Sequence, residues 1–363
     1  MECIVDKKAL QNVFKKVQKC ISTSTNILEI SSSVLISVKY DRVIIKATNF
    51  NMYIKDEIDE VKIKEEGDVL IPFSLLNNLV RKYKNEKIHL RLNDSNLELV
   101  SKDNLFKVPI LNIDFPEEYI VEKETELTIK ESIIMDVFKR FIKIIPDESH
   151  QNSIIGLNIK LKEDGTIDFV TTDTFRMYFS NLKDFHISGE REGQYLIPKN
   201  MVKYILGVLD GGEKEVKLIL NNEYIKLLKD DLVLKHQLIA GSFPLYEKII
   251  PKNLEFENKI KTSEFKDAIN RVKIISDFMI GDKVITIKTE DDSLFVYSSD
   301  MKNLEKLNFD FKTPIDKNFD SGFLLDFIND TGSDDFKISF NKGDTAVILN
   351  DRDINYMLMP IRK

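Results

Sequence analysis

Thr171-Thr172-Asp173 followed by Arg176 is the stretch of this chain whose residue types and spacing could do chemistry. A carboxylate three residues from a guanidinium can act as a base beside a positioning cation. The same spacing suits a strand that ends in a turn, with Asp173 bonded to its own backbone. Other candidates are sparse. The histidines, His89, His150, His186 and His236, are isolated, and none stands at metal-ligand spacing from another ligand type, so no metal site is expected. Cys3 and Cys20 are too few for a disulfide framework, and a reduced, cytoplasmic setting is expected. There is no Gly-rich phosphate loop, no G-x-S-x-G and no H-E-x-x-H. No cofactor is expected, and an enzyme built on Asp173 and Arg176 would lack a nearby base or metal set.

The elements that must position this stretch come from a chain of 363 residues, long enough for two or three domains. Hydrophobic residues make up 42% and charged residues 31%, a globular composition. No apolar run reaches the roughly 18 residues of a membrane span, and no secretory leader is read at Met1 to Asp6. The net charge of −7 argues against a simple polycation that coats nucleic acid, although distribution matters more than the sum.

The Thr-Thr-Asp stretch recurs. Thr48-Asn49, Thr172-Asp173 and Ser299-Asp300 stand 124 and 127 residues apart (172−48, 299−172). Ile71-Pro72 and Ile197-Pro198 differ by 126 (197−71), and Phe115-Pro116 and Phe243-Pro244 by 128 (243−115). Between these landmarks the same order repeats: amphipathic helix, strands, a second helix, strands. The first helices are read over Asp6 to Ser22, Ile129 to Ile145 and Thr262 to Ile275. The second helices are read over Phe73 to Tyr83, Lys199 to Leu209 and Asn318 to Asn329. The fold class is therefore α+β, with three tandem two-helix, antiparallel-sheet units at 1–122, 123–250 and 251–363. Two chains meeting head to tail could close such units into a ring of six.

Basic residues recur on the solvent-facing sides of these helices: Lys15, Lys16 and Lys19; Arg81 and Lys82; Lys139, Arg140 and Lys143; Lys199 and Lys203. On any one helix this is an ordinary solvated face. Repetition at equivalent places fits a lining for a phosphate backbone, without base readout. The helix at Asn318 to Asn329 departs, carrying Asp320 and Asp326.

Over nearly its whole length the chain resembles the bacterial sliding clamps, the beta subunits of the replicative DNA polymerase. The matching segments are Thr171 to Met177, Gly241-Ser242-Phe243-Pro244-Leu245-Tyr246 with Ile250-Pro251, Leu209-Asp210-Gly211-Gly212 and the terminal Tyr356 to Arg362. The resemblance implies a non-catalytic homodimeric ring around duplex DNA that tethers the polymerase and is opened by a separate ATP-driven loader. It also implies a peptide pocket between the second and third units. By position that pocket takes Ile154, Thr172, Thr174, Phe175, Arg176 and Met177. It continues through Pro244, Lys248, Ile249 and Ala346 to Met357, Met359, Pro360, Ile361 and Arg362. The implied dimer contact uses Phe106 and Val108 with Ile274 and Ile275.

Two departures bear on function. Thr174-Phe175 stands where the family usually has Gly-His, which makes a bulkier, less polar pocket. The loop Ser22 to Asn26 is Ser/Thr-rich where many clamps carry a DNA-contacting Arg. At that loop, DNA contact would be weaker or come from the adjacent lysines, whereas Thr174-Phe175 and the less regular third unit motivate an alternative reading, a clamp-derived partner-binding protein that does not serve the main replicase.

Overall fold

A computed structural model describes residues 1–22, 29–101, 103–116, 123–148, 154–311 and 313–362. Thr23 to Asn26 of the Ser/Thr-rich loop lie outside them. The first repeat runs β1 (Glu2–Asp6), α1 (Lys7–Val17), β2 (Ser33–Lys39), β3 (Arg42–Thr48), β4 (Met52–Ile58), β5 (Val61–Glu65), β6 (Gly67–Pro72), α2 (Phe73–Lys82), β7 (Lys87–Asn93), β8 (Asn96–Val100) and β9 (Leu105–Pro109). The second is β10 (Thr125–Lys130), α3 (Glu131–Phe141), β11 (Gly156–Leu161), β12 (Ile167–Thr172), β13 (Arg176–Leu182), β14 (His186–Ser188), β15 (Gly193–Pro198), α4 (Lys199–Leu206), β16 (Glu215–Leu220), β17 (Tyr224–Lys229) and β18 (Leu232–Gln237). The third is β19 (Phe256–Lys261), α5 (Thr262–Ile275), β20 (Val284–Glu290), β21 (Ser293–Ser298), β22 (Leu304–Asp310), β23 (Asp316–Asp320), α6 (Ser321–Asp330), β24 (Asp335–Phe340), β25 (Val347–Asp351) and β26 (Ile354–Leu358).

The repeated order is there; α5 spans the residues read for it, Thr262 to Ile275, while α1 and α3 are shorter than their apolar stripes suggest. Asp6 caps α1 by accepting from the Ala9 amide at 3.0 Å, and Leu10, Val13, Phe14 and Val17 form its buried face. Cys20 and Ile21, read as helical, lie beyond it in turns closed by i to i−3 bonds. Ile129 belongs to β10, where it pairs with Val216, so α3 starts two residues later than expected. Leu209 lies past the end of α4. Asn318 belongs to β23, because Asp320 caps α6 through the amides of Gly322 and Phe323. That cap replaces the Ile-Pro which opens α2 and α4, and it explains why the third copy lacks this landmark. The strand before each first helix, β1, β10 and β19, was not anticipated, although β1 and β10 alternate strictly between buried and half-buried residues.

The chain divides into two compact units: residues 1–131, 186–190 and 207–238, and residues 132–185, 191–206 and 239–363. The middle repeat is shared between them for a physical reason. In the first unit, a nine-stranded sheet runs β14-β10-β16-β17-β18-β4-β3-β2-β6, and a five-stranded sheet runs β5-β1-β7-β8-β9. In the second, an eight-stranded sheet runs β15-β11-β12-β13-β26-β25-β24-β19, and a four-stranded sheet runs β22-β21-β20-β23. The last strand of one repeat thus pairs antiparallel with the fourth strand of the repeat before it: β18 with β4, β26 with β13. Backbone hydrogen bonds across these seams bind half of the middle repeat to each neighbour.

Candidate functional site

The Thr-Thr-Asp stretch is a tight hairpin joining β12 to β13. Thr172 Oγ1 donates to the Arg176 carbonyl at 2.8 Å and accepts the Thr174 amide at 3.1 Å. Asp173 Oδ1 accepts the amides of Phe175 and Arg176 at 3.1 and 3.0 Å. The residue after the Asp has φ 78°, a left-handed value that a β-branched Thr adopts only under constraint. The first repeat has the same turn: Thr48 bonds the Met52 carbonyl, Asn49 accepts the Met52 amide, and Phe50 has φ 71°. In the third repeat Met301 has φ 58°, and the hydroxyl role falls to Ser298, one residue earlier than the expected Ser299. Asp173 is a turn former in a turn the fold uses three times.

Arg176 is what sets the middle copy apart. It is buried, and its guanidinium bonds Asp173 at 2.8 Å, Asp326 of α6 at 2.5 Å and the Tyr356 hydroxyl at 3.3 Å, while its face lies 4.0 Å from the Phe323 ring centre. Burial opposes its charge, but Tyr356, Asp173 and Asp326 outweigh that and raise its pKa above the ordinary value. The side chain is committed inside the chain and fixes the hairpin onto α6 and β26.

That anchoring sets an apolar surface. Met177 and Met357 face each other across the β13–β26 pair and join Val170, Leu196, Phe243, Tyr246, Ala346 and Ile348 in one buried cluster. Tyr246 holds the linker segment down by donating to Asp168 at 2.5 Å. Around this floor, Phe175, Leu245, Ile249, Met359 and Ile361 are exposed large apolar residues, with Phe175 63% exposed. The Met359 amide donates to the Phe175 carbonyl at 3.1 Å, and the Ile361 amide donates to the Asn318 carbonyl at 2.8 Å, so the chain end is tied down beside the hairpin tip. Pro244, Lys248, Thr174 and Arg362 are exposed, Thr172 and Pro360 half-buried, and Ile154 buried. Of the residues expected at a pocket, Met177, Ala346 and Met357 join the buried cluster, Phe175, Ile249, Met359 and Ile361 are exposed apolar residues at its rim, and Arg176 is committed to Asp173 and Asp326. Leu245 joins the rim without having been anticipated; the signal was an apolar residue following Phe-Pro in a linker.

The first unit has the equivalent place at its β4–β18 pair, with different chemistry. Lys46 stands where Val170 does and Tyr53 where Met177 does. Both line a polar cavity of about 820 Å³ that also takes Lys39, Asp68, Asp114 and Phe115. The apolar floor belongs to the second unit.

The basic residues expected to face DNA divide likewise. Lys15, Lys19, Arg81, Lys82, Lys139 and Lys203 are exposed. Lys16 pairs with Asp56 at 2.8 Å, Lys143 with Asp330 at 2.5 Å, and Lys199 with Asp147 at 2.8 Å. Arg140 is not a surface residue: it is buried, bonded to Asp351 at 2.8 Å and to Asp136 at 3.0 Å, because α3 packs that side of the helix against β25. Several of the others sit in last helical turns, where cations also offset the helix dipole. Phe106 on the edge strand β9 and Ile274 on the helix α5 are exposed, 40% and 58%, and Ile275 is half-buried. Val108 was expected at a dimer contact, but its side chain is fully buried inside its own chain. Among the described residues no cluster of metal-ligating side chains occurs, and no helix is long and apolar enough to cross a membrane.

These features define a three-repeat α+β protein with an apolar cluster and exposed apolar side chains at one repeat seam. Models of the DNA polymerase III beta subunit match it end to end: the N-terminal domain at 1–119, the central domain at 129–245 and the C-terminal domain at 247–362. The chain belongs to the DNA polymerase III beta subunit family. A beta sliding clamp of Helicobacter pylori is 23% identical, covering 97% of this chain and 94% of its own. That of Mycoplasma capricolum is 22% identical over 99% of both. Among solved structures, the Helicobacter pylori beta clamp bound to a DNA ligase peptide shares the fold at TM-score 0.88 and 20% identity, covering 100% of both chains. The Pseudomonas aeruginosa DNA polymerase III subunit beta does so at 0.88 and 18%, again over 100% of both.

Proposed function

We propose that this protein is a sliding clamp. Two copies close around duplex DNA without reading sequence, and the ring tethers the replicative polymerase. It has no catalytic role of its own, works in the cytoplasm and depends on an ATP-driven loader for opening. Its domains are taken as 1–122, 123–250 and 251–363. Polymerase, loader and other partners dock a short apolar-aromatic peptide on the Met177–Met357 surface, against Phe175, Ile249, Met359 and Ile361.

The observation that carries this reading is the sheet order. Two repeat seams, β18 on β4 and β26 on β13, are filled within one chain. The corresponding strands left over are β9, the edge of the five-stranded sheet, and β22, the edge of the four-stranded one. An unpaired edge is a template for another strand. β9 presents Leu105 and Phe106, and β22 presents Leu304, 53% exposed. β9 of one copy pairing antiparallel with β22 of another repeats the internal seam twice and closes six repeats with every repeat seam filled. Phe106, Leu304 and Ile274 then belong to the contact.

Sizing tests this directly: the protein should run at twice its chain mass of 42.1 kDa, and Phe106→Asp or Leu304→Asp should halve that mass. Protein loaded on closed circular DNA should be retained there and released when the DNA is cut. Retention on the linear product refutes topological binding. The second reading, a clamp-derived protein outside the main replicase, is favoured by Phe175 at the rim. Failure to bind any polymerase-derived peptide, with capture of peptides from other partners, would establish it.

A further inference from the structure

A cavity of about 320 Å³ in the second unit is lined by Lys288, Lys317 and Lys342, with Thr289, Asp316 and Asn341. Lys317 is the unusual member. It is buried, 4% exposed, yet no carboxylate lies within ion-pair distance of it among the described residues. Its Nζ donates to the carbonyls of Gly343 and Thr345, the latter at 3.1 Å. An ammonium has three N–H donors, so one is left over. Burial depresses its pKa, and Asp344, the carboxylate that favours its charged form, is not close enough to pair. Around it, Lys288 bonds Glu290 at 2.6 Å and Lys342 is exposed. A buried cation bonded to carbonyls thus stands at the wall of a cavity with two further cations; the lining carboxylate Asp316 acts on Lys288, and none pairs directly with Lys317.

We propose that this cavity binds one small oxyanion, a phosphate or the carboxylate of an acidic side chain. Lys317 supplies the buried charge and Lys288 and Lys342 close over the anion. The site adjoins the apolar surface through the chain itself. Lys317 holds Thr345, and the next residue, Ala346, is part of the apolar floor. Asn318, beside Lys317, bonds Ile361 of the rim. Either source of the anion would fix the loop Asn341 to Thr345 and with it one side of the docking surface. The existence of the site does not rest on the clamp reading.

The test is calorimetric titration of the full chain with inorganic phosphate at fixed ionic strength, with chloride as control. Saturable one-to-one binding is expected, weakened at least about tenfold in Lys288→Ala/Lys342→Ala, which leaves the buried lysine and its loop bonds intact. Lys317→Met should abolish it; if that variant does not fold, the double variant decides. No saturation, or equal binding by chain and double variant, overturns the proposal. A peptide pair that docks on the apolar surface and differs by Glu against Gln in its flank separates the sources. Tighter binding of the Glu peptide, lost on adding phosphate, assigns the site to a partner carboxylate. Equal binding of the pair alongside saturable phosphate assigns it to the free anion.

Discussion

Replacing Arg140 by Met keeps the aliphatic stem and removes the charge. In the native chain the side chains of Arg140 and Asp351 are 3% and 0% exposed and 2.8 Å apart. Removing one member of such a pair leaves the other charged and buried, which typically costs about 3–5 kcal/mol. Asp351 keeps two other donors, the Ser333 hydroxyl at 2.6 Å and the Gly332 amide at 3.1 Å, so the lower end, about 3 kcal/mol, is expected. Asp351→Asn keeps one oxygen for the Gly332 amide, turns its NH2 toward the Ser333 hydroxyl, which can accept, and leaves Arg140 with Asp136, so about 2 kcal/mol is expected. The double variant should cost less than the sum by about 2 kcal/mol, the coupling of the pair. The assay is urea unfolding of the four proteins, following the transition of the second compact unit rather than one global midpoint. The Asp351 carboxyl adds a pH signature. Burial raises its pKa, but Ser333, Arg140 and Gly332 outweigh burial and hold it below the ordinary 3.8. A depressed folded pKa gives stability that is present above the unfolded value and lost as pH falls through the folded one. The stability lost below about pH 4 should therefore be smaller in Asp351→Asn. Single costs under about 0.5 kcal/mol, or additive ones, refute the burial argument.

Phe175→Ala should leave unfolding within about 0.5 kcal/mol, since the ring is exposed, while weakening a docked partner peptide about tenfold or more by fluorescence anisotropy. Unchanged affinity removes Phe175 from the rim. Charge reversal at Arg81, Lys82 or Lys139 should lower the dependence of DNA retention on log salt by about 0.9 for each phosphate that is no longer neutralised, with unfolding unchanged. A slope equal to that of the native chain places those residues away from DNA.

The periodicity of the fold was legible because each repeat carries its own punctuation. The Thr-Asx turns, the Ile-Pro entries to α2 and α4 and the Phe-Pro linkers recur with the fold, since each solves the same backbone problem at the same place. What was not legible followed from partners distant in sequence. Arg140 looks like Lys139 and Lys143 in sequence, a basic residue on an amphipathic helix. It is buried only because Asp351, 211 residues away, stands opposite. Val108, placed at a dimer contact by the resemblance alone, is buried in its own chain. The leading strands β1, β10 and β19 are short, and the first two abut a helix whose apolar stripe continues their pattern.

The acidic helix α6 shows how the misread charges belong together. From sequence it is the helix that breaks the basic pattern. In the second unit Asp326 takes Arg176 of β13, and Asp330 takes Lys143 beyond the end of α3. Asp351 of β25 takes Arg140. All three cations come from the middle repeat and all three carboxylates from the third. The seam is thus held by backbone pairing of β13 with β26 and by opposite charge on the helical side. The same Arg176 that looked catalytic fixes the hairpin whose other end, Phe175, forms the rim. Weakening that pairing, by Asp326→Ala for example, loosens the support of the docking surface without touching it. Its effect on partner affinity must act through the hairpin, and the Phe175→Ala variant should then show little further loss. Full additivity of the two would separate the support from the surface it is argued to hold.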